Sequence, residues 1–388
     1  MLMTKPKIAV VFGSRSTEHD VSIVTAISSI IKPLELTGEF EVVPVYISKD
    51  GKWYCDPTLK DINNFSGKSF ERYLDKLKPV AIGMNSCLQI IKTGIKNKII
   101  DIDIVFPATH GTHGEDGELM AICEMADVAY VGCDVASSNI AMDKVLAKQI
   151  ADSSGINVAK YIHFSKHDFT AKPGDYIKQI NATLTYPLFV KPAHLGSSIG
   201  ITRVTKNEDL TNAVEVALHY DNKVLVEEAV NNLVEVTLPI LGNEELTPAL
   251  LEQPVLHSED FFDFETKYLQ GGKKGKNKGS SGSQGYSTIP AKLPKALYDK
   301  AEATGLSVYR ALGCCGIARV DMLIDTKADK VYFNEVNPLP GGLYSHNWNK
   351  AGMNNVDLVS RLVELAVERH VEKKSLETVF STNYLSQF

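Results

Sequence analysis

Arg319, Asp321, Glu335 and Asn337 fall within one short stretch, GIARVDMLIDTKADKVYFNEVN (316–337), at spacings that could build a site. GIARVDMLID and KVYFNEVN are rich in β-forming residues, and TKAD between them is turn material. A hairpin centred near Ala328 would pair Arg319 with Asn337 and Asp321 with Glu335. Side chains alternate along a strand, so these four share one face. Val320, Met322, Val331 and Phe333 belong to the same strands, which are therefore expected to be buried on both sides. For an arbitrary hairpin, a solvated face with cross-strand ion pairs is the plainer reading. Buried carboxylates, however, need a partner. Two carboxylates and an amide oxygen form a hard-oxygen set that suits Mg²⁺ gripping phosphates.

Those strands need a scaffold. KIAVVFG (7–13) is a continuous apolar run, followed by a helix through Ile23–Ile31 and a second strand, FEVVPVYI (40–47). This β-α-β start predicts a doubly wound parallel sheet. Functional groups in such sheets gather beyond the carboxyl ends of the strands. The Ser14–His19 loop lies there, with Glu18 near the helix start, where a helix-dipole role competes with a functional one. Residues 50–100 read as polar, irregular elaboration. IDIDIVFP (100–107) is a further strand, ending in a glycine-rich loop with His110, Glu115 and Asp116. No third ligand is spaced to make HGTH a metal site.

SSNIAMDKVLAKQIADSSG reads as one amphipathic helix, and it carries Lys144. FVK ends a strand, with Lys191 aimed into AHLGSSIG. Glycines there allow close backbone approach, and serines such as Ser197 and Ser198 add donors for phosphate. Neither G-x-x-x-x-G-K-[ST] nor G-x-G-x-x-G occurs. A helix over Asn207–His219, capped by Asn207, comes next. Two strands, KVLVEEAV and NNLVEVTLPILG, carry Glu227, Glu228 and Glu235, either as a solvated edge or as site acids. The segment 261–286 opens with FFDFETKY and turns glycine-, lysine- and serine-rich over 271–285. It reads as a mobile lid with Lys267 and Tyr268 at its base. A helix over Pro294–Leu312 leads into the hairpin. PLPGGLYSHN could hug a ligand, Leu358–His370 is a closing helix, and the last residues form an exposed tail.

A chain of 388 residues makes two or three domains. The formal net charge of −6 gives no reason to expect a nucleic-acid partner, and no apolar run is long enough to span a bilayer. MLMTKPK lacks the apolar core of a signal peptide. The cysteines are scattered without metal-ligand spacing, as reduced thiols of a cytoplasmic protein would be.

FGSRSTEHDVS, HGTHGEDG, YVGCDVASSNIAMDKVLAK, FVKPAHLGSSIG, VEEAV, FFDFETKY, ALGCCGIARVD and NEVNPLPG follow one another along the chain. With these pieces, in this order, it resembles the D-alanine–D-alanine ligase family of ATP-grasp enzymes from Ile8 to about Leu362. The resemblance implies an α/β chain of α+β ATP-grasp type. An N-terminal doubly wound domain (1–133) would be followed by a central subdomain (134–230). A C-terminal subdomain (231–388) would hold the metal site, the lid and the acceptor loop.

By residue, the resemblance makes Lys144 and Lys191 phosphate-binding lysines, with Ser198 in the phosphate loop. Glu227 becomes the adenine-region acid, Glu235 the ribose acid and Lys267 a lid lysine. Asp321, Glu335 and Asn337 become ligands of two Mg²⁺ ions (Mn²⁺ could replace them). Arg319 steadies transferred oxygen charge, and an N–H near Gly341 is a second oxyanion donor. Glu18 holds the first amino acid's ammonium, with Ser197 and Tyr268 as hydrogen-bonded companions and His110 nearby. Ser345 and Asn347 lie in the acceptor loop. The implied reaction is ATP-dependent joining of a carboxylate to an amine through an acyl phosphate, forming a cell-wall dipeptide precursor in a homodimeric cytoplasmic enzyme that acts on small amino acids.

The acceptor loop departs from the family's N-T-L-P-G-x-T-S: NPLPGGLYSHN is one residue longer and puts Asn347 where a carboxylate-contacting serine is expected. Ser14 replaces a glycine, and Val234 and Thr237 replace charged neighbours of Glu235. A sister ligase with another amino acid or hydroxy acid as acceptor is therefore an alternative. A non-catalytic nucleotide sensor is a second, set against the survival of Lys144, Lys191, Arg319, Asp321, Glu335 and Asn337.

Overall fold

The computed structural model describes residues 5–65, 69–94, 96–254 and 287–388. In chain order the first strands are β1 (Lys7–Gly13), β2 (Glu41–Ile47), β3 (Trp53–Tyr54), β4 (Val80–Met84), β5 (Leu88–Lys92), β6 (Lys98–Ile102), β7 (Ile104–Pro107) and β8 (Ala129–Tyr130). One sheet runs β3-β2-β1-β7-β8, parallel except for β3. Ile8, Val10 and Phe12 enter one core while Ala9 and Val11 enter another, all fully buried. A strand covered on both faces must be apolar throughout, which is why KIAVVFG does not alternate.

Among the described residues, the stretch 50–100 holds more regular structure than its composition suggests. β4, β5 and β6 form an antiparallel sheet that buries Leu88, Ile90 and Ile102. The run expected as one strand over 100–107 is two, because Asp103 interrupts it. Its carboxylate accepts the Lys7 N–H at 2.7 Å, and its own N–H donates to the Lys7 carbonyl. The first helical segment spans His19–Thr37, and its middle, Thr25–Ile31, is π-helical.

β9 (Tyr161–Ser165), β10 (Leu188–Pro192), β11 (Thr202–Val204) and β12 (Lys223–Glu228) form a second, antiparallel sheet in the order β11-β10-β12-β9. β13 (Leu233–Gly242), β14 (Thr247–Pro248), β15 (Gln253–Pro254), β16 (Ser287–Thr288), β17 (Gly316–Asp325) and β18 (Lys330–Asn337) follow. A third sheet has the order β14-β13-β17-β18.

Two expected helices differ in detail. Residues 135–153 are two helices, Val135–Met142 and Lys144–Ser153, broken where Asp143 turns extended and caps the second through the N–H groups of Val145 and Leu146. Asn207 is no N-cap; it opens a 3₁₀ turn, accepts a bond from the Asn181 amide, and precedes the helix Leu210–Tyr220. The closing helix, Asn355–Lys374, buries Leu358, Val359 and Leu362 in the same core as Ile8 and Phe106. The chain beyond Ser375 is exposed.

Candidate active site

The hairpin is the floor. Arg319 pairs with Asn337 and Asp321 with Glu335, in the register read from the sequence. Val320, Met322, Val331 and Phe333 are buried beneath the helix Lys295–Ala311 together with Ala301 and Val308. The opposite face is not closed: Arg319, Asp321, Glu335 and Asn337 are all half-buried, so burial on both sides does not hold. A β-bulge adds a residue to β18 at Asn334, between the Met322–Phe333 and Asp321–Glu335 pairs. Asn334 thereby reaches the site, where its amide oxygen accepts from Lys191 Nζ at 3.3 Å.

Cations surround these oxygens. Arg319 makes a two-pronged contact with Asp321, at 2.7 Å and 2.6 Å, and its guanidinium lies 5.1 Å from the Tyr344 ring centre. Lys144 Nζ is 3.1 Å from Glu335 and donates to the Leu195 carbonyl at 2.7 Å. Lys191 is turned toward the neighbouring strand β12 rather than into the loop after it, and pairs with Glu227. Glu227 is buried and also meets Lys148 at 2.9 Å. Burial alone would raise the Glu227 carboxyl; Lys148 and Lys191 outweigh it and pull it down to about 2. Glu227 is therefore neither a solvated edge nor open to a ligand along its whole carboxylate: it anchors two lysines.

The loop after β10 lies above. Ser197 and Ser198 both adopt positive φ, 54° and 59°, a left-handed pair in the loop. Ser197 Oγ donates to Glu18, which also faces Gly111 and Gly196. A side chain at Gly111 would meet Ser16 Oγ at 2.5 Å, so the two loops approach closely only with glycine there. His110 is buried, 3.0 Å from Thr25 Oγ1, and burial lowers its pKa, keeping the ring neutral. His113 faces Glu118 instead, so the two histidines of HGTH do not converge. Glu115 is buried, accepts the Gly111 N–H, and is pushed up to about 8 by burial and the Glu18 charge.

Over the acceptor loop, Gly342, Leu343 and Tyr344 are all left-handed, and Gly342 N–H donates to Thr25 Oγ1. Gly341 and Ser345 flank this turn, half-buried. Asn347 of the acceptor loop is held by the protein's own polar groups. It is fully buried and bonds the Leu250 carbonyl at 2.9 Å, the Leu250 N–H at 3.1 Å and Glu252 at 3.2 Å. Lys267, Tyr268 and the whole lid expectation fall outside the described residues. Glu235 is half-buried on β13, opposite Leu323.

Could these residues hold a metal? Among the described residues, no three His, Cys, Asp or Glu side chains are arranged to hold a metal ion by themselves. An ion here would rest on two carboxylates, the Asn337 amide oxygen and oxygens from water or phosphate, which is the habit of Mg²⁺. Lys148 and Asn334 went unnoticed in the sequence. Lys148 carried a signal, four residues after Lys144 on the same helix face; the bulge at Asn334 carried none.

Two antiparallel sheets share one site, where Lys191 of one reaches the Asn334 amide of the other and Lys144 on a helix reaches Glu335, with a loop of left-handed serines above them: this is the architecture of an ATP-grasp enzyme. The chain aligns with a solved VanG D-Ala:D-Ser ligase from Enterococcus faecalis with a TM-score of 0.78 and 34% identity, over 94% of this chain and 100% of that one. It aligns with the D-alanine-D-alanine ligase from Coxiella burnetii at 0.76 and 25%, over 96% of each. The chain belongs to the D-alanine–D-alanine ligase family: the family model for the D-ala D-ala ligase N-terminus matches residues 7–133, and that for the C-terminus matches 150–364. It is 35% identical to a D-alanine–D-alanine ligase of Caldicellulosiruptor bescii, over 97% of this chain and 99% of that protein. It is 34% identical to D-alanine–D-alanine ligase A of Salmonella typhimurium, over 97% and 100%.

Proposed function

We propose that this protein is an ATP-dependent ligase that joins two D-alanine molecules into the dipeptide used for peptidoglycan precursors. A carboxylate is a poor electrophile. Transfer of the γ-phosphoryl group to a carboxylate oxygen of the first amino acid releases ADP and leaves an acyl phosphate. The amine of the second then attacks the acyl carbon, phosphate departs with the C–O electron pair, and the amine gives up a proton. The observation that carries this reading is the convergence of Lys144 and Lys191 with Arg319, Asp321 and Glu335 across one cleft.

In this reading Glu18, placed by Ser197, takes the first ammonium. Lys144, Lys191 and the Ser197–Ser198 loop hold phosphate oxygens, and Arg319 neutralises charge developing in transfer. Asp321, Glu335 and Asn337 would hold one or two Mg²⁺ ions, which supply Lewis-acid charge neutralisation. Glu235 takes the ribose. The Gly341 N–H and Arg319 stabilise the tetrahedral oxyanion, and Lys267 with Tyr268 close over the site. A cytoplasmic homodimer without nucleic-acid or membrane partners fits; no helix among the described residues is long and apolar enough to cross a membrane.

A second reading, with another acceptor, is favoured by the acceptor loop, where Asn347 is committed to Leu250 and Glu252. Phosphate release from ATP and Mg²⁺ across D- and L-amino acids and hydroxy acids decides. Turnover with D-alanine alone supports the first reading; turnover only with a different acceptor replaces it with the second. ATP binding without turnover on any acid contradicts both.

A further inference from the structure

His194 stands at the root of the serine loop, two residues past the end of β10, and its ring lies between two carboxylates. Nδ1 is 2.9 Å and 3.0 Å from the Asp221 oxygens, and Nε2 is 3.3 Å from Asp143 Oδ2. The His194 backbone N–H also donates to Asp221, at 2.7 Å. Asp143 is the cap of the helix that begins with Lys144. From the other side, the Lys144 N–H donates to the Ala193 carbonyl at 3.0 Å, and Lys144 Nζ donates to the Leu195 carbonyl. The residues on both sides of His194 are thus tied to Lys144, and His194 itself is tied to that helix's cap.

We infer that His194 is a positioning residue: as an imidazolium it staples the base of the phosphate-holding loop to the helix that presents Lys144. The inference rests on the reading of residues 193–200 and Lys144 as phosphate ligands. A carboxylate facing each ring nitrogen requires both to be donors, and only the protonated ring supplies two. Hydrogen bonds donated to Asp143 and Asp221 hold the proton, raising His194 to about 9. The charged groups around it are Asp143 on the helix cap, Asp221 in the turn before β12, and Lys223 on β12, which pairs with Asp143. Lys166 and His219 line the adjoining surface cleft, and His163 on β9 feels the charges of Asp143 and Lys223. Lys223 offsets only one of the two carboxylates. When His194 loses its proton, one nitrogen becomes an acceptor aimed at a carboxylate oxygen, and the staple opens.

The test measures KM for ATP and kcat against pH, with binding of ADP·Mg²⁺ followed alongside. In the wild type, KM for ATP is flat near neutrality and rises above about pH 9. His194→Gln raises KM for ATP about tenfold at pH 7.5, the scale of one lost charge-assisted hydrogen bond, with kcat changed far less and the rise near pH 9 absent. His194→Arg restores most of the affinity and also lacks the inflection. Wild-type affinity and pH profile in His194→Gln would overturn the inference, as would an equal loss in kcat and affinity. Lys191→Met separates the two layers. If it weakens ADP·Mg²⁺ binding while the His194 variants do not, only the staple fails. If it binds ADP·Mg²⁺ as the wild type does, the phosphate-site reading fails and the staple with it. The wild-type pH profile stands as a test even if a variant does not fold.

Discussion

Arg319 and Asp321, two residues apart on β17, grip each other with two hydrogen bonds of 2.7 Å and 2.6 Å. In the proposed reading, the cation assigned to phosphate thus rests on a carboxylate assigned to metal. An ion arriving on Asp321 would release Arg319 toward the transferring phosphoryl group. Removing the carboxylate should therefore abolish chemistry more than folding. Asp321→Ala is expected to lower kcat by about a hundredfold or more, the scale of one lost electrostatic contact to a transition state, while circular dichroism stays native. Near-full activity would contradict the metal assignment.

Glu227 sits between Lys148 and Lys191 with no water-facing surface to speak of. Glu227→Gln removes the carboxylate that directly contacts two buried ammonium groups. Breaking such a pair costs about 3–5 kcal/mol. The carboxyl is depressed to about 2 in the folded chain. Its contribution is present above the unfolded value near 4.5 and is lost as pH falls from there through about 2. Urea midpoints across pH 2–6 check this; a wild-type and variant difference that stays constant over that range would contradict it.

Glu115 has the opposite sign. Burial and Glu18 raise it to about 8, so the folded chain keeps a proton that the unfolded chain releases near 4.5. Stability from this group falls as pH rises from 4.5 to about 8. Glu115→Gln should remove that slope, and the variant should gain on the wild type in melting temperature between pH 5 and 8. Parallel curves would refute it.

Asn347 satisfies both backbone groups of Leu250. Asn347→Ala leaves them unpaired in a part-buried setting, at up to about 1–3 kcal/mol each. The expected result is a lower melting temperature with the preference among acceptors unchanged. A stable variant with altered acceptor preference would return Asn347 to the acceptor pocket.

The hairpin was legible because period-2 alternation and a polar turn set its register, and the register alone put Arg319, Asp321, Glu335 and Asn337 together. β1 was legible because burial on both faces leaves an unbroken apolar run. Asn334 was not, since a bulge obeys no alternation. The break at Asp143 was missed because the apolar period continues across it, although an Asp before a helical run is an N-cap signal. The strands over 80–102 are short and half-exposed, so their pattern is weak. Glu227 and Lys148 are far apart in the chain; only the folded structure, which brings Lys148 on the helix Lys144–Ser153 to Glu227 on β12, shows that they pair.

The most direct measurement is a crystal structure with ADP and Mg²⁺. The account predicts metal at about 2.0–2.1 Å from oxygens of Asp321, Glu335 and Asn337, with Lys144 and Lys191 on the phosphates. Nucleotide bound elsewhere, or an ion in the cleft with none of those three oxygens around it, would contradict it.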